Sequence, residues 1–351
     1  MDEIPVIHQY HASDRAELFD FIREVQPADV SARMIAQWRW KFEDNPFTSP
    51  ERPATDIIRI GAKLVGLMAG FRVKLWLGGI ECFAEDRGAW MVHPDYRGQY
   101  LWRQVMPLPP LDTPIRMGWS KLPLRVHQKV KWLSDPVRPL VRVLNAGALA
   151  AHFAHLPGVI SIGAAASAAA RLAAAPFRAK PDPAVIRLDS FDDRVDALWE
   201  RARPANHAMV IRDRRYLNWR YCQRPDATYL LFGVERASKL DGFLVARVTD
   251  RGGLRWGYLV DFIAADNSRD LAPLIRAALE EFRRQQVAAV LSYATAPAAR
   301  AALFRRGFFP APQHKPIRFV RFFHRGRTDL AQFTAISSWH LTMGDGDLEM
   351  S

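Results

Sequence analysis

The chain is poor in cysteine, with Cys82 and Cys222 the two among its 351 residues. That scarcity excludes a disulfide scaffold and a cysteine-rich metal site, and it fits a reducing compartment. A leader pattern is missing as well, because MDEIPVIHQYHASD opens with acid and carries no apolar stretch. A cytoplasmic protein is the expectation. The G-x-x-x-x-G-K-[ST], H-E-x-x-H, G-x-S-x-G and paired C-x-x-C patterns are also absent, which removes phosphoryl transfer on a P-loop and zinc-hydrolase chemistry. Acid is in deficit: 49 Lys and Arg face 37 Asp and Glu, a net charge of +12. Such a surface attracts anions, whether nucleotide phosphates, nucleic acid or acidic lipid.

Charge is missing altogether from Val143 to Ala170, with Arg138, Arg142, Arg171 and Arg178 on either side. A bilayer span needs about 20 apolar residues. His152, His155 and Asn145 lower the hydropathy of this run, and Pro157-Gly158 breaks it near its middle, so it reads as a helix, a break and an Ala-rich helix. A buried or inter-domain connector is expected, and contact of residues 138–178 with an anionic inner-membrane surface is the other reading. Ala175 to Ala184 is rich in proline and charge and resembles a linker. The length suits two domains, placed at 1–145 and 184–351 with 146–183 as connector and linker.

What is present is a long internal repeat. Trp38-Arg39-Trp40 is followed by Asn45-Pro46, and Trp219-Arg220-Tyr221 by Arg224-Pro225. After each comes a hairpin pattern: Asp56–Ile60 with Gly66–Val73, then Tyr229–Val234 with Gly242–Val248. A third strand follows in each half, Gly88–Val92 and Gly257–Ile263, and then a loop and a helical pattern. The spacing indicates one α/β domain duplicated.

The end of the second half is clearest. Apolar residues at 271, 274, 275, 278, 279 and 282 predict an amphipathic helix over Leu271–Arg284. Ala288–Tyr293 reads as a strand, Pro297 opens a second helix that Gly307 ends, and Ile317–Phe323 reads as a last strand with exposed cations.

That order of elements resembles the GNAT acyltransferase superfamily. Val92-His-Pro-Asp-Tyr-Arg-Gly-Gln-Tyr-Leu-Trp102 is similar to its V-x-P-x-x-R-G-x-G-x-G segment, and Ala298–Phe308 to its last helix. The resemblance implies two tandem GNAT-like domains, each a mixed, mostly antiparallel sheet flanked by helices. The tandem layout is shared with Fem-type aminoacyl transferases, and the closing Trp339–Asp347 resembles GNAT-type proteins of exopolysaccharide biosynthesis. It implies acetyl-CoA or another acyl-CoA as co-substrate, its pyrophosphate held by Val92, Arg97, Gly98, Gln99, Tyr100 and Trp102. Backbone N–H groups and an arginine suit that anion. Tyr100 and Trp102 stand where the pattern has glycines. In the second half the matching loop, Ala264–Leu271, has no glycine, and its Ser, Asn and Asp read equally as helix caps, with Arg269 its one cation.

Direct transfer in this family needs a base for the acceptor and a proton donor for the leaving thiolate. Glu81 and Glu85 are the base candidates of the first half, with Asp86 beside them. Asp261 and Tyr293 are their counterparts in the second; Asp261 interrupts an apolar strand and needs a partner or a cleft. Trp119-Ser120 and His127 are the nearest first-half candidates for the donor. Trp38, Arg39, Trp219, Arg220 and Tyr221 could line an acceptor cleft, although their repetition in both halves equally suggests packing. Asp345-Gly-Asp347 is a minimal carboxylate pair, expected to be solvated and to hold no metal. The basic run Lys121–Arg142 carries no nucleic-acid motif. The expected function is an acyl-CoA-dependent N- or O-acyltransferase acting on a small-molecule or glycan acceptor. The competing expectations are a tandem scaffold without catalysis and a Fem-like enzyme using aminoacyl-tRNA.

Overall fold

The computed structural model describes residues 4–48, 54–98, 115–121, 124–129, 131–152, 182–205, 207–266, 269–311, 316–323, 328–346 and 348. Each half is built on a three-stranded meander. In the first, β2 (Asp56–Ile60), β3 (Lys63–Leu77) and β4 (Ile80–Val92) follow a short β1 (Val6–Gln9). In the second, β10 (Leu230–Arg236), β11 (Lys239–Arg251) and β12 (Leu254–Ala264) follow β8 (Val185–Leu188). The tips of the long hairpins match: Gly78-Gly79 has φ of 55° and 108°, and Gly252-Gly253 has 59° and 75°. A two-residue turn with both residues at positive φ follows strand twist, and glycine adopts it without strain.

The halves interlock. β5 (Ile115–Ser120) and β6 (Leu133–Val137) do not pair with each other; β15 (Ile317–Phe323), from the far end of the chain, lies between them, with Arg318 opposite Ser120 and Ile317 opposite Val137. In exchange, β7 (Leu140–Val143) leaves the first half and pairs β13 (Ala289–Ser292), with β14 (Phe309–Pro310) at its other edge. β9 (Ala208–Val210) adds to β3. The strand Ile317–Phe323 therefore forms where the sequence places it but closes the first sheet. Its cations also depart from expectation: Arg321 is buried, with its Nη1 2.8 Å from Asp135.

Alternation along the strands decides the layers. Helices α1 (Arg15–Val25) and α2 (Ala28–Trp38) cover the outer face of the first sheet with Leu18, Phe21, Ile22 and Trp38. α5 (Leu271–Arg284) and α6 (Pro297–Arg305) cover the second with the predicted stripe, Leu271, Leu274, Ile275, Ala278, Leu279 and Phe282. Ile115, Met117 and Phe319 of one sheet share a central core with Val245, Tyr258 and Val260 of the other. α3 (Leu124–Lys129) packs beside β6, and α4 (Asp193–Ala202) adds Leu198 and Trp199 to the central core.

At the middle of that core the repeat becomes a local pseudo-twofold. Trp40 Nε1 donates to the carbonyl of Trp219 at 2.8 Å, and Trp219 Nε1 to that of Trp40 at 2.9 Å; the rings stack 5.1 Å apart. Each tryptophan is the second residue of a π-helical turn, Arg39–Glu43 and Asn218–Cys222. The structural match is thus Trp40 with Trp219, two residues away from the Trp38–Trp219 match that the sequence motif suggests. Residues 153–181, the greater part of the proposed connector and linker, lie outside the described residues. Among the described residues no helix is long and apolar enough to cross a membrane.

Candidate active site

In the first half the parallel ladder of β4 and β5 is three pairs long, from Ala84↔Ile115 to Asp86↔Met117. β4 nevertheless continues to Val92 and β5 to Ser120. The cause is a bulge on β4's other edge, where Gly88 has no partner between Arg87 and Ala89 and the strand bends. Past this point the strands diverge, and an unpaired strand edge offers N–H and C=O groups to an extended ligand. The second half repeats the device. β12 and β13 pair from Trp256↔Ala289 to Leu259↔Ser292, and Val260 bulges against β11.

The two clefts differ in what fills them. The segment Trp339–Asp345 enters the second, where Thr342 bridges Ala294. Asp261 accepts from Thr342 Oγ1 at 2.9 Å, from the Tyr221 hydroxyl at 2.9 Å and from Arg212 Nη2 at 3.2 Å. Arg212 Nη2 also meets both oxygens of Asp345 at 2.8 Å. All five residues are buried. Burial by itself would lower the Arg212 guanidinium, but Asp261 and Asp345 outweigh it and hold its pKa above the ordinary value. Two carboxylates share that one cation, so burial and the charge of Asp261 raise Asp345 despite its pairing. Burial, then Asp261, pushes Tyr221 well up. His340 closes the cluster, its Nε2 donating to the Phe262 carbonyl at 3.1 Å; burial and the charge of Arg212 take it down to about 4. Asp345 is therefore not the solvated carboxylate that the sequence suggests, and Asp347 lies outside the described residues.

The first cleft carries a polar row on the outer face of β5, opposite its core-facing Ile115, Met117 and Trp119. Glu85 receives Arg116 Nε at 3.0 Å, both buried, one rung before the ladder ends. At the end of β5, Ser120 Oγ lies 2.9 Å from His127 Nε2, and His127 Nδ1 lies 3.2 Å from Ser134 Oγ. Arg318 Nε donates to that Ser134 oxygen at 2.7 Å. An arginine only donates, so the Ser134 oxygen accepts from Arg318, and it shares a hydrogen bond with His127 Nδ1 while His127 Nε2 shares one with Ser120. Burial lowers the His127 pKa, and the nearby Arg318 lowers it further, which keeps the ring neutral.

The phosphate end of the first cleft is described as far as Gly98. Arg97 is exposed, with its Nε 3.4 Å from the Val92 carbonyl. Gly98 has φ of 92°, and among the described residues a Cβ there would meet nothing within 4 Å. A glycine at positive φ beside an exposed guanidinium fits a phosphate. Gln99, Tyr100 and Trp102 lie outside the described residues.

The remaining candidates scatter. Glu81 sits at the hairpin end of β4, paired with Arg203 at 3.3 Å and roughly seven residues, about 23 Å of strand, from the bulge. Asp86 is buried on the last rung of the ladder. Asp261 follows the second bulge, a position that Ala89 holds in the first half, so it is not the structural counterpart of Glu85. Tyr293 follows the last paired residue of β13 and packs on Trp119 at 6.2 Å. Trp38 is in the core against Tyr10 and Phe42, while Arg39 is exposed and pairs with Asp44 at 3.2 Å. Trp219 lies in the central stack, and buried Arg220 donates Nε to the Gly344 carbonyl at 3.2 Å. In the second loop Asp266 accepts from the Arg269 N–H, a turn contact ahead of the helix, and the N-cap residue Asp270 makes no side-chain capping bond and pairs with Arg236 at 2.5 Å. Sequence does not single out Arg212, Ser134, Arg318 or Thr342, although an arginine after the apolar run Ala208–Ile211 is the same signal that exposes Asp261.

No protein-family model matches the chain, and no curated protein matches its sequence. Solved structures do. N-myristoyltransferase of Saccharomyces cerevisiae with bound myristoyl-CoA is 15% identical at a TM-score of 0.58, covering 92% of this chain and 79% of that one. A GCN5-related N-acetyltransferase from Kribbella flavida is 14% identical at 0.57, covering 92% and 71%. Another from Anabaena variabilis is 11% identical at 0.57, covering 90% and 72%. Identities this low speak to fold alone. Bulged, splayed parallel strands in both halves and likeness over nine-tenths of the chain lead to one conclusion: this is an α/β chain with the tandem GNAT fold.

Proposed function

We propose that the chain is an acyl-CoA-dependent N- or O-acyltransferase working through its first cleft. The observation that carries this reading is the contrast in occupancy: the first pair of splayed strands carries a polar relay at its end, whereas the second is filled by the chain's own segment 339–345. The yeast neighbour, whose structure has myristoyl-CoA bound, supports the donor class. The donor supplies an activated thioester. Arg97 and Gly98 would hold its phosphates, and the open edge of β4 its amide-bearing arm.

Ser120 then has a defined task. As the acceptor nitrogen or oxygen forms a bond to the acyl carbon and the carbon–sulfur bond breaks, the Ser120 hydroxyl gives its proton to the departing thiolate. Ser120 takes up the proton lost by the acceptor, through water, in the same step, so that no free alkoxide forms, and His127, in hydrogen-bond contact with its oxygen at 2.9 Å, orients the hydroxyl. Glu85 is tied to Arg116, so the acceptor's proton leaves by that water route and not through a carboxylate. The acceptor is a small molecule, with a sugar or glycan precursor as the finer proposal.

Calorimetry with acetyl-CoA and a series of longer acyl-CoAs tests this reading. Binding that Arg97→Ala weakens about tenfold, the scale of one charged contact, is the expected result. No binding of any acyl-CoA would overturn it and leave the scaffold reading in its place.

A further inference from the structure

The segment that carries β4 into the phosphate end of the first cleft leaves the sheet at Val92, which pairs with Gly66, and at His93, whose N–H reaches the Val65 carbonyl at 2.9 Å. Beyond it Pro94–Tyr96 make one short turn, closed by the Tyr96 N–H on the His93 carbonyl at 3.0 Å and the Arg97 N–H on that of Pro94 at 3.2 Å. A single turn does not hold itself. The residue before a proline is restricted to extended backbone, and His93 obeys with φ of −52° and ψ of 137°.

The His93 side chain supplies the further tie. Its ring is buried, and Nδ1 accepts from the Asp95 N–H at 3.3 Å, a side-chain cap on the turn. A backbone amide only donates, so Nδ1 carries no proton and the neutral ring's one hydrogen sits on Nε2. Nε2 faces Glu24 Oε1 of α1 at 2.8 Å and has Lys63 Nζ of β3 at 3.0 Å. Tyr96 stands edge-on to the ring at 5.7 Å, with Lys63 Nζ 5.7 Å over its own face. One imidazole thus joins the turn to a helix and a strand.

We infer that His93 is the positioning residue of the donor's phosphate loop: Nδ1 holds the turn, Nε2 fastens it to α1, and together they set where Arg97 and Gly98 stand. This rests on the donor reading of that loop.

Asparagine and glutamine separate the two contacts. An Asn oxygen accepts from the amide two residues on, as Nδ1 does, and suits the position before a proline. A Gln amide reaches toward Glu24 in place of Nε2 and loses the cap. Calorimetry with acetyl-CoA reads donor binding, and hydrogen exchange of amides 95–97, followed by mass spectrometry on the free chain, reads the turn. His93→Gln is expected to weaken binding and to speed exchange by about tenfold each, the scale of one lost hydrogen bond, while His93→Asn stays within about threefold of the parent in both. A purely structural histidine would make the two variants fall together. His93→Gln with parental binding and exchange, or His93→Asn as impaired as His93→Gln, overturns the inference; should His93→Gln not fold, an impaired His93→Asn does so alone. Exchange is read without donor, so a parent that binds no acetyl-CoA defeats the donor reading while the exchange pattern still decides whether His93 holds the turn.

Discussion

The two halves solve the same structural problem and then part. Each bends a strand at a bulge and parts it from a parallel neighbour, but the second gap is closed by three buried charges and the first by none of its own chain among the described residues. Duplication alone therefore does not make two open clefts. A cleft filled by Arg212, Asp261 and Asp345 has become a fastener for the segment 339–345, and its carboxylates serve stability. The first cleft carries Ser120 at the end of a hydrogen-bonded chain of side chains, the feature on which the proposed function rests.

The largest expected effect follows from that division. Arg212→Ala leaves Asp261 and Asp345 buried without their cation and should cost about 3–5 kcal/mol, read as a fall in the urea midpoint. Arg97→Ala, exposed in the first half, should leave that midpoint unchanged. A stable, fully folded Arg212→Ala protein would break the comparison. Next in size is catalysis: Ser120→Ala should lower kcat by about 100-fold, a typical share for a positioned proton donor, with Asp261→Asn affecting stability but not kcat of the folded fraction. His127 acts through Ser120, so Ser120→Ala/His127→Ala should be no slower than Ser120→Ala. Additive losses would give the histidine a separate role.

The sequence makes part of this legible. The stripe of α5, the Pro297 start and Gly307 stop of α6, and the third strand of the second half depend on local periodicity and turn chemistry, and they form as read; the third strand of the first half, read as Gly88–Val92, begins at Ile80 instead, so Glu81, Glu85 and Asp86 lie within it and not before it. Strand exchange does not leave a local signal. Ile317–Phe323 reads as a strand wherever it pairs, and its place beside β5 is set by long-range packing. The same limit applies to the site. Val92–Gly98 follows from a motif, but Ser120, His127, Ser134 and Arg318 come together from three elements and the far end of the chain. Asp261 signals its need for a partner; that the partner is Arg212 depends on a strand crossing 49 residues away.

A smaller effect sharpens the contrast through pH. His340 is neutral in the fold, with its pKa lowered to about 4, whereas an unfolded histidine titrates near 6.5. The unfolded chain binds the extra proton first, so this residue's contribution is present above about 6.5 and is lost as pH falls toward 4, at up to about 1.4 kcal/mol per pH unit. Asp345 works in the opposite direction, because its raised carboxyl keeps a proton that the unfolded chain releases. Urea midpoints of the parent and His340→Gln between pH 7 and 4 separate the two: the parent should lose more stability over this window. Parallel curves would mean that the histidine does not sense the closed cleft.

The smallest effect belongs to the place where the halves are still equivalent. Trp40 and Trp219 each donate to the other's carbonyl, so Trp40→Phe and Trp219→Phe should each cost about 1–2 kcal/mol, the scale of a buried hydrogen bond whose acceptor is left unpaired. Equal losses measure symmetry that has survived divergence. The double variant decides whether it is one unit. Stacked rings 5.1 Å apart share their packing, and residues in contact are rarely additive, so the pair should cost less than the sum of the two. Strict additivity would instead make each tryptophan an independent anchor for its own half, and the pseudo-twofold would then be a relic of duplication with no energetic coupling across it.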